Sequence, residues 1–321
     1  MRIIADLHLH SKYSRAVSQE MVLPQIATWA QKKGIGLVGT GDWTHPLWLR
    51  EIKANLEEVA PGLYALKGES LRSGIKNFTP PRDSRGISPL FILATEISSI
   101  YSQGGRLRRI HSLILAPSIE IVEKINKALV GRGANLMSDG RPVTGIPAQE
   151  LVKLILSVDE NSLIIPAHIW TPWFSLYGSE SGFDSIDECF GEQAKFIYAI
   201  ETGLSSDPAM NWRIAELDKR NIVSFSDAHS GPKLGREATV FEISDELGVM
   251  SYETIRKALT PNPKPITHNQ ARIAFTIEFH PEEGKYHYTG HRDCGVRQSP
   301  EETKRLGEIC PVCGKHLTIG V

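Results

Sequence analysis

Short apolar runs of strand character alternate with helical periodicity along most of this chain. The runs cover residues 3–10, 36–41, 90–96, 110–115, 163–168, 196–201 and 222–227. Helical patterns fall between several of them. Pro24 opens 25–33, which Gly34 closes; Pro147 opens 148–157; Pro208 opens 209–220. Alternation of this kind predicts an α/β fold with a parallel sheet. The number of βα units suits a closed or nearly closed barrel better than an open dinucleotide-binding sheet. Neither GxGxxG nor GxxxxGK[ST] occurs, which argues against a Rossmann site and a P-loop ATPase.

Two stretches interrupt the rhythm. Residues 66–88 are polar, basic and rich in Gly and Pro, as expected of a long functional loop. TPNPKP at 260–265 marks the end of the repeating units. The expected organisation is a barrel over 1–260, a connecting segment over 261–285 and a small metal-binding module over 286–321.

The ends of the runs carry the chemistry. The first, ADLHLH, ends in His8 and His10; strand periodicity places Asp6, His8 and His10 on one face. The second leads into GTGDWTHP, with Asp42 and His45. The third ends at Glu96, the fourth opens with His111, the fifth ends at His168 and the sixth at Glu201. The last runs into Asp227 and His229. In a βα barrel these ends converge on one face, where active sites are built. A single HxH is weak evidence, because an isolated strand histidine is usually structural; recurrence at strand after strand favours a metal centre. Mixed His/Asp/Glu ligands suit Zn, Mn or Fe and not Ca. His8, His10, Asp42, Glu96, His111, His168, Asp227 and His229 are the candidate ligands, too many for one ion. His45 and Glu201 are read either as ligands or as groups orienting one, and Asp6 as a support. Ions bridged by carboxylates suit phosphate-ester hydrolysis, with His8, His10, Glu96 and Asp227 as the catalytic set.

ADLHLHSKYS, GTGDWTHP, ATEIS, RIHSL, IIPAHIW and SDAHS, in this order, resemble the PHP family of metal-dependent phosphoesterases over roughly residues 1–260. The resemblance implies a distorted (β/α)7 barrel and two or three divalent metals (Zn, Mn, Mg or Fe). It maps the family's HxH onto His8 and His10, its glutamate onto Glu96, its middle histidines onto His111 and His168, and its closing DxH onto Asp227 and His229. Where the family has Asp-His after the second strand, this chain has Asp42, Trp43 and then His45, so both Asp42 and His45 remain candidates. Where many members carry a histidine after the HxH, this chain has Tyr13-Ser14-Arg15-Ala16, and one metal site is expected to differ.

Within that family, GTGDWTHP, PAHIWTPWFSLYGS and the cysteine-bearing tail resemble DNA repair nucleases. Those enzymes cut 5′ to deaminated bases (uracil, hypoxanthine, xanthine) and abasic sites, leaving a 3′-hydroxyl and a 5′-phosphate. The expected partner is DNA carrying such lesions. A sliding clamp, reached through a segment beyond Val321, is implied as another, since proteins of this type usually continue past the cysteine module and this chain reads as truncated or short.

The tail contains HRDCG and CPVCGK. Cys294, Cys310 and Cys313 form a zinc-knuckle pattern, and His291 mirrors the CxxC spacing, favoured over His287 and His316 as the fourth ligand of one structural zinc. Four cysteines in 321 residues, three of them in this tail, fit metal binding in a reducing compartment, hence the cytoplasm; Cys189 reads as an ordinary core thiol. The N-terminus reads as a strand rather than a signal peptide, and no apolar run spans a bilayer.

A formal net charge of -1 gives no global basic signature, so a DNA surface must be local. Arg72, Lys76, Arg82 and Arg85 in the long loop, and Arg106, Arg108 and Arg109 before the fourth run, are the candidates for phosphate contacts. Most such clusters are solvated surface; their nearness in sequence to Glu96 and His111 favours binding. Trp170, Trp173, Phe174 and Tyr177 follow His168 directly. They fit a pocket for a flipped base or, equally, a hydrophobic lid. The competing functions are a phosphatase for a small phosphate ester and a non-catalytic nucleic-acid-binding relic. The cysteine tail and basic insert argue against the first, and the nearly complete ligand set against the second.

Overall fold

A computed structural model describes residues 1–68, 88–244, 250–261 and 271–321. Strand β1 (Arg2–Asp6) leads to helix α1 (Leu23–Lys33), β2 (Leu37–Gly39), α2 (Pro46–Asn55), β3 (Leu56–Ala60), β4 (Leu63–Leu66), β5 (Leu90–Gln103) and β6 (Arg106–Ala116). The middle of the chain forms α3 (Ile119–Gly131), β7 (Val143–Thr144), α4 (Ala148–Val158), β8 (Leu163–Pro166), α5 (Ile186–Phe190), β9 (Ala199–Glu201), α6 (Pro208–Asn211) and β10 (Asn221–Val223). It closes with β11 (Ala238–Glu242), α7 (Tyr252–Leu259), β12 (Arg272–Ile277), β13 (Thr289–His291), β14 (Val296–Gln298) and α8 (Pro300–Leu306).

Each apolar run predicted from the sequence contains a strand, but the central sheet is mixed rather than parallel. β1, β2 and the start of β5 run parallel. β5 then turns back through Gly104 and Gly105, both at positive φ, into β6. That two-residue turn demands left-handed backbone, which glycine adopts at no steric cost. β6 is therefore antiparallel to β5 and to β8. β9 and β10 pair in parallel. Backbone bonds stitch the remaining ends together: Ile169 N–H donates to Glu201 O at 3.0 Å, and His10 N–H to Ala228 O at 3.1 Å. The ends of β8, β9, β10 and β1 thus lie edge to edge.

Period-two alternation assigns the core. Ile3 and Ala5 of β1, Leu90, Ile92 and Ala94 of β5, and Leu163 and Ile165 of β8 join one apolar cluster with Tyr252, Ile255 and Leu259 of α7. Val38, Phe91, Leu93, Ile114 and Ile164 pack instead with the apolar stripes of α1–α4. α1 illustrates the local logic: Leu23, Ile26, Ala27 and Ala30 are its buried stripe, and Gly34, at φ 72°, ends it. The helix predicted over 209–220 is broken. α6 ends at Asn211, whose buried amide donates to Asp207 O and Ser206 Oγ, and a 3-10 turn follows at Ala215–Lys219. Trp212, just past the end of α6, is 68% exposed, and Ile214 and Leu217 pack on the core from outside an α-helix.

Within the segment read as a connector, 261–285, β12 is an edge strand on β11. Beyond it the chain packs back on the loops that follow β8, β9 and β10. Ser224 Oγ and Thr202 Oγ1 donate to the Glu278 carboxylate, and Ser179 Oγ donates to Ile319 O. Among the described residues no helix is long and apolar enough to cross a membrane.

Glu237 is fully buried beside Glu278. Burial, reinforced by the Glu278 and Glu201 carboxylates, pushes its pKa up to about 9. A carboxyl whose folded pKa exceeds its unfolded one binds protons more tightly when folded. The stability it confers is full below the unfolded value and is lost as pH rises towards 9. Glu237→Gln is therefore expected to match the parent in melting temperature near pH 5 and to exceed it increasingly up to pH 9. Parallel thermal melts check this; a pH-independent gap would contradict it.

Candidate metal centre

Strand periodicity breaks just past β1. Leu7 joins one core cluster and Leu9 the other, so the side chains no longer alternate across a flat strand. Asp6 joins neither group of ligand atoms: Ser226 N–H and Gly235 N–H donate to its two oxygens at 2.9 and 2.8 Å. It ties β1 to the segment that carries Asp227. His8 and His10, both fully buried, turn towards Glu96.

Two groups of ligand atoms converge there. Glu96 Oε1, His111 Nδ1 and His168 Nε2 form a triangle with sides of 2.8, 3.0 and 3.3 Å. His8, His10 and Asp227 form the second group, with Asp227 Oδ1 lying 3.1 Å from His10 Nε2 and 3.8 Å from His8 Nε2. Within each group the ligand atoms lie within 4.8 Å of one another. Glu96 lies between them: its Oε1 is 3.6 Å from His8 Nε2 and its Oε2 3.4 Å from His10 Nε2.

This donor set fits metal cations. His8 Nε2 is buried without a hydrogen-bond partner, a costly state for a polar atom that faces only other acceptor-rich groups. Burial pushes the His111 pKa down to about 4, which keeps its imidazole in the neutral form that ligates metal. Burial would raise Glu96 and Asp227, but the surrounding cations and imidazoles override it and hold both carboxyls well below the usual range.

Behind these groups stands a layer of orienting residues. Glu201 holds His8 Nδ1 with both oxygens, at 2.9 and 3.0 Å, and accepts the His168 backbone N–H at 2.8 Å. Asp42 accepts from His10 Nδ1 at 3.0 Å; its other oxygen is taken by Ser11 N–H and the Ser11 and Ser14 hydroxyls. Asp42 thus joins neither group of ligand atoms. A Cβ at Gly140 would collide with that carboxylate, so the loop closing over it admits only glycine without a shift. His45 is also set apart, its ring stacked on Tyr13 with centroids 4.4 Å apart. His229 lies at the rim, where Nδ1 donates to Asp227 O at 2.8 Å and leaves Nε2 with a lone pair. Asp42, His168 and Asp227 all adopt positive φ, at 44°, 31° and 47°. Such backbone costs about 1–3 kcal/mol per residue and clusters at functional sites.

Sequence reasoning missed Arg141. Its guanidinium reaches Glu96 Oε2 at 3.1 Å and stays 23% exposed. It lies in a loop, SDGRPV, with no periodic pattern to mark it; only its place beside Asp139 and Gly140 in a tight turn hints at a role.

The DNA-contact candidates divide. Arg72, Lys76, Arg82 and Arg85 lie outside the described residues. Arg108 is structural: its Nη1 donates to Gly182 O and its guanidinium lies 4.0 Å from the Phe183 ring centroid. Arg106 is exposed, and Arg109 lies over Phe174. The four aromatics divide likewise. Trp170 and Tyr177 pack against each other and are pinned, Trp170 Nε1 to Asn211 and Tyr177 OH to Glu216. Phe174, at φ 65°, covers His111, and Trp173 meets Tyr286 of the tail. In the tail itself, ligand atoms of His291, Cys294, Cys310 and Cys313 gather within 4.8 Å. Although burial works against them, backbone N–H groups of Cys313 and Val312 help bring the Cys310 thiol down to about 6, favouring the thiolate.

Fold and site together define a mixed α/β protein with paired candidate metal sites, built from loops that leave its strands and from Glu96 and His111 inside β5 and β6, and a Cys/His cluster in its tail. No family model matches the chain. It is 30% identical over 333 residues to the uncharacterised protein YqxK of Bacillus subtilis, covering 100% of this chain and 75% of that one. Its structure resembles that of PfuEndoQ, a lesion-specific endonuclease from Pyrococcus furiosus, with TM-score 0.78 and 31% identity, covering 100% of this chain and 70% of that one. A crystal structure of endonuclease Q with a 27-mer duplex bearing an abasic lesion at the active site matches with TM-score 0.80, 31% identity and the same coverage. The chain belongs to the endonuclease Q family.

Glu201→Gln tests the orienting layer. Losing a carboxylate behind a ligating imidazole costs about 10- to 100-fold in metal affinity. Chelator competition should show that loss with the fold intact by circular dichroism; unchanged affinity would assign Glu201 a packing role only.

Proposed function

We propose that this chain is a metal-dependent DNA repair endonuclease. It hydrolyses the phosphodiester 5′ to deaminated bases and abasic sites and leaves a 3′-hydroxyl and a 5′-phosphate. One observation carries the reading: two convergent imidazole–carboxylate groups meet at Glu96, in the middle of β5. In this reading the strands form a distorted (β/α)7 barrel of the PHP type acting on cytoplasmic DNA.

His8, His10 and Asp227 would hold one divalent cation, and Glu96, His111 and His168 a second. Bound there, such cations supply Lewis-acid charge to a phosphodiester and acidify water. The chain's own groups do the rest. Glu201 and Asp42 fix the rings of His8 and His10, so that each presents Nε2 inward. Arg141 spends one N–H on Glu96 and keeps other donors for a phosphate oxygen. His229 Nε2 is free for a cation or a proton. Phe174 and Trp173, which are not pinned by side-chain hydrogen bonds as Trp170 and Tyr177 are, are the aromatics proposed to meet an extruded base. His291, Cys294, Cys310 and Cys313 would hold a structural zinc on which the tail's folding depends.

The test is a nicking assay on labelled duplexes carrying uracil, hypoxanthine, an abasic site or no lesion, with Mn²⁺ or Mg²⁺. Cleavage 5′ to the lesion, abolished by EDTA and by Asp227→Ala, is expected. Hydrolysis of a simple aryl phosphate without nicking would overturn the reading in favour of a phosphatase. Arg141→Met should slow nicking by about 10²-fold or more, the usual effect of removing a preorganised donor. Arg141→Lys, keeping charge but not the planar fork, should recover part of it.

A further inference from the structure

The tail carries a groove of about 740 Å³ that the metal centre does not use. Tyr286, Tyr288, Lys285, Arg292 and Arg297 line it, together with two glutamates. The cations are seated on the aromatics. The Arg297 guanidinium lies 3.7 Å from the Tyr288 ring centroid, and Lys285 Nζ 4.9 Å from that of Tyr286. Arg297 also donates to the backbone carbonyl of Glu282 at 3.3 Å, which fixes its plane. Among the described residues no carboxylate lies within salt-bridge distance of Lys285, Arg292 or Arg297, and Glu282 is turned to His280 at 3.8 Å. Three unneutralised cations and two tyrosines thus surround one open groove.

The groove borders the catalytic face. Tyr286 meets Trp173 edge to face, with ring centroids 6.0 Å apart, and Trp173 belongs to the loop that follows His168. Gly284, another lining residue, packs so closely on Leu204 O that a Cβ would approach it to 2.7 Å. Leu204 follows Glu201, so the groove is anchored to two loops that leave the metal centre.

We propose that this groove binds a single DNA strand flanking the cleavage site, with bases stacking on the Arg297–Tyr288 pair and on Tyr286, and phosphates meeting Lys285 and Arg292. A guanidinium plane held over an aromatic ring is a ready stacking surface for an unpaired base. The combination of π-faces and free cations distinguishes a strand-binding groove from a merely basic patch. The assignment rests on the reading of the barrel as a DNA endonuclease, which supplies the strand.

The experiment uses the full chain, loaded with metal, and a fluorescein-labelled single-stranded oligonucleotide read by anisotropy, alongside nicking of an abasic duplex. Tyr288→Ala and Arg297→Ala are expected to weaken binding of the single strand about 5- to 100-fold. Lys285→Ala should lower the salt slope of binding by about one. Tyr288→Phe should keep most of the affinity, whereas Arg297→Lys, which keeps the charge but not the stacking plane, should keep less; zinc content and melting temperature show whether the tail is folded. In saturating duplex the nicking rate should change less than about threefold, since the groove lies outside the metal centre. Equal affinity of parent and alanine variants overturns the groove. A parent that binds the strand through these residues yet nicks no lesion overturns the endonuclease reading and leaves the groove standing; a parent that binds no strand overturns the groove.

Discussion

The architecture of the candidate metal centre turns on the carboxylate of Glu96. It is fully buried, yet it touches imidazoles of both ligand groups and the guanidinium of Arg141. An isolated buried carboxylate would be strongly unfavourable. Against that burial, the imidazoles of His111 and His8 and the permanent charge of Arg141 hold it well below the usual carboxylate range. Its contacts link β5 to β6 and to the loops that leave β1 and β8.

A second constraint follows from that one. Ligand atoms as close as 2.8–3.3 Å must be aimed, because a ring rotated about its Cβ would withdraw its nitrogen. The aim comes from carboxylates one layer out. Glu201 spans His8 and the His168 backbone, Asp42 locks His10, and Asp6 holds the segment entering Asp227. Positive φ at Asp42, His168 and Asp227 turns the chain sharply where strands end. The local cost of those turns is met by the surrounding hydrogen bonds.

Much of this was legible in the sequence, and the failures have identifiable causes. Strand positions could be read because apolar alternation is a local property. HxH and DxH could be read because each puts two imidazole or carboxylate groups at one strand end. Strand direction could not be read from alternation alone, although the Gly104–Gly105 turn between β5 and β6 was a hairpin signal that the α/β expectation overrode. Asp42 looked like a ligand because residue type does not reveal which carboxylate oxygens are already occupied. Arg108 looked like a phosphate contact because a run of arginines does not show which one is folded back onto Gly182 and Phe183. Arg141 left only the Asp139–Gly140 turn as a trace, since a loop residue acquires its partner only through tertiary structure. The tail reads better: cysteine and histidine spacing brought out His291, Cys294, Cys310 and Cys313, which the fold gathers.

The register of β1 has a consequence for how the protein comes into being. Arg2 pairs with Glu242, and the amino group of Met1 donates to Ile243 O at 2.8 Å. β1 must wait for β11, made about 240 residues later, before it gains its second neighbour. At ordinary elongation rates of about 5–20 residues per second, that delay is roughly 10–50 s. During it His8 and His10 have emerged, but Asp227 has not. Biosynthesis therefore imposes its own order on the site: β1 stays half-paired until β11 has been made, and the Asp227 side of the candidate centre arrives only after its histidines.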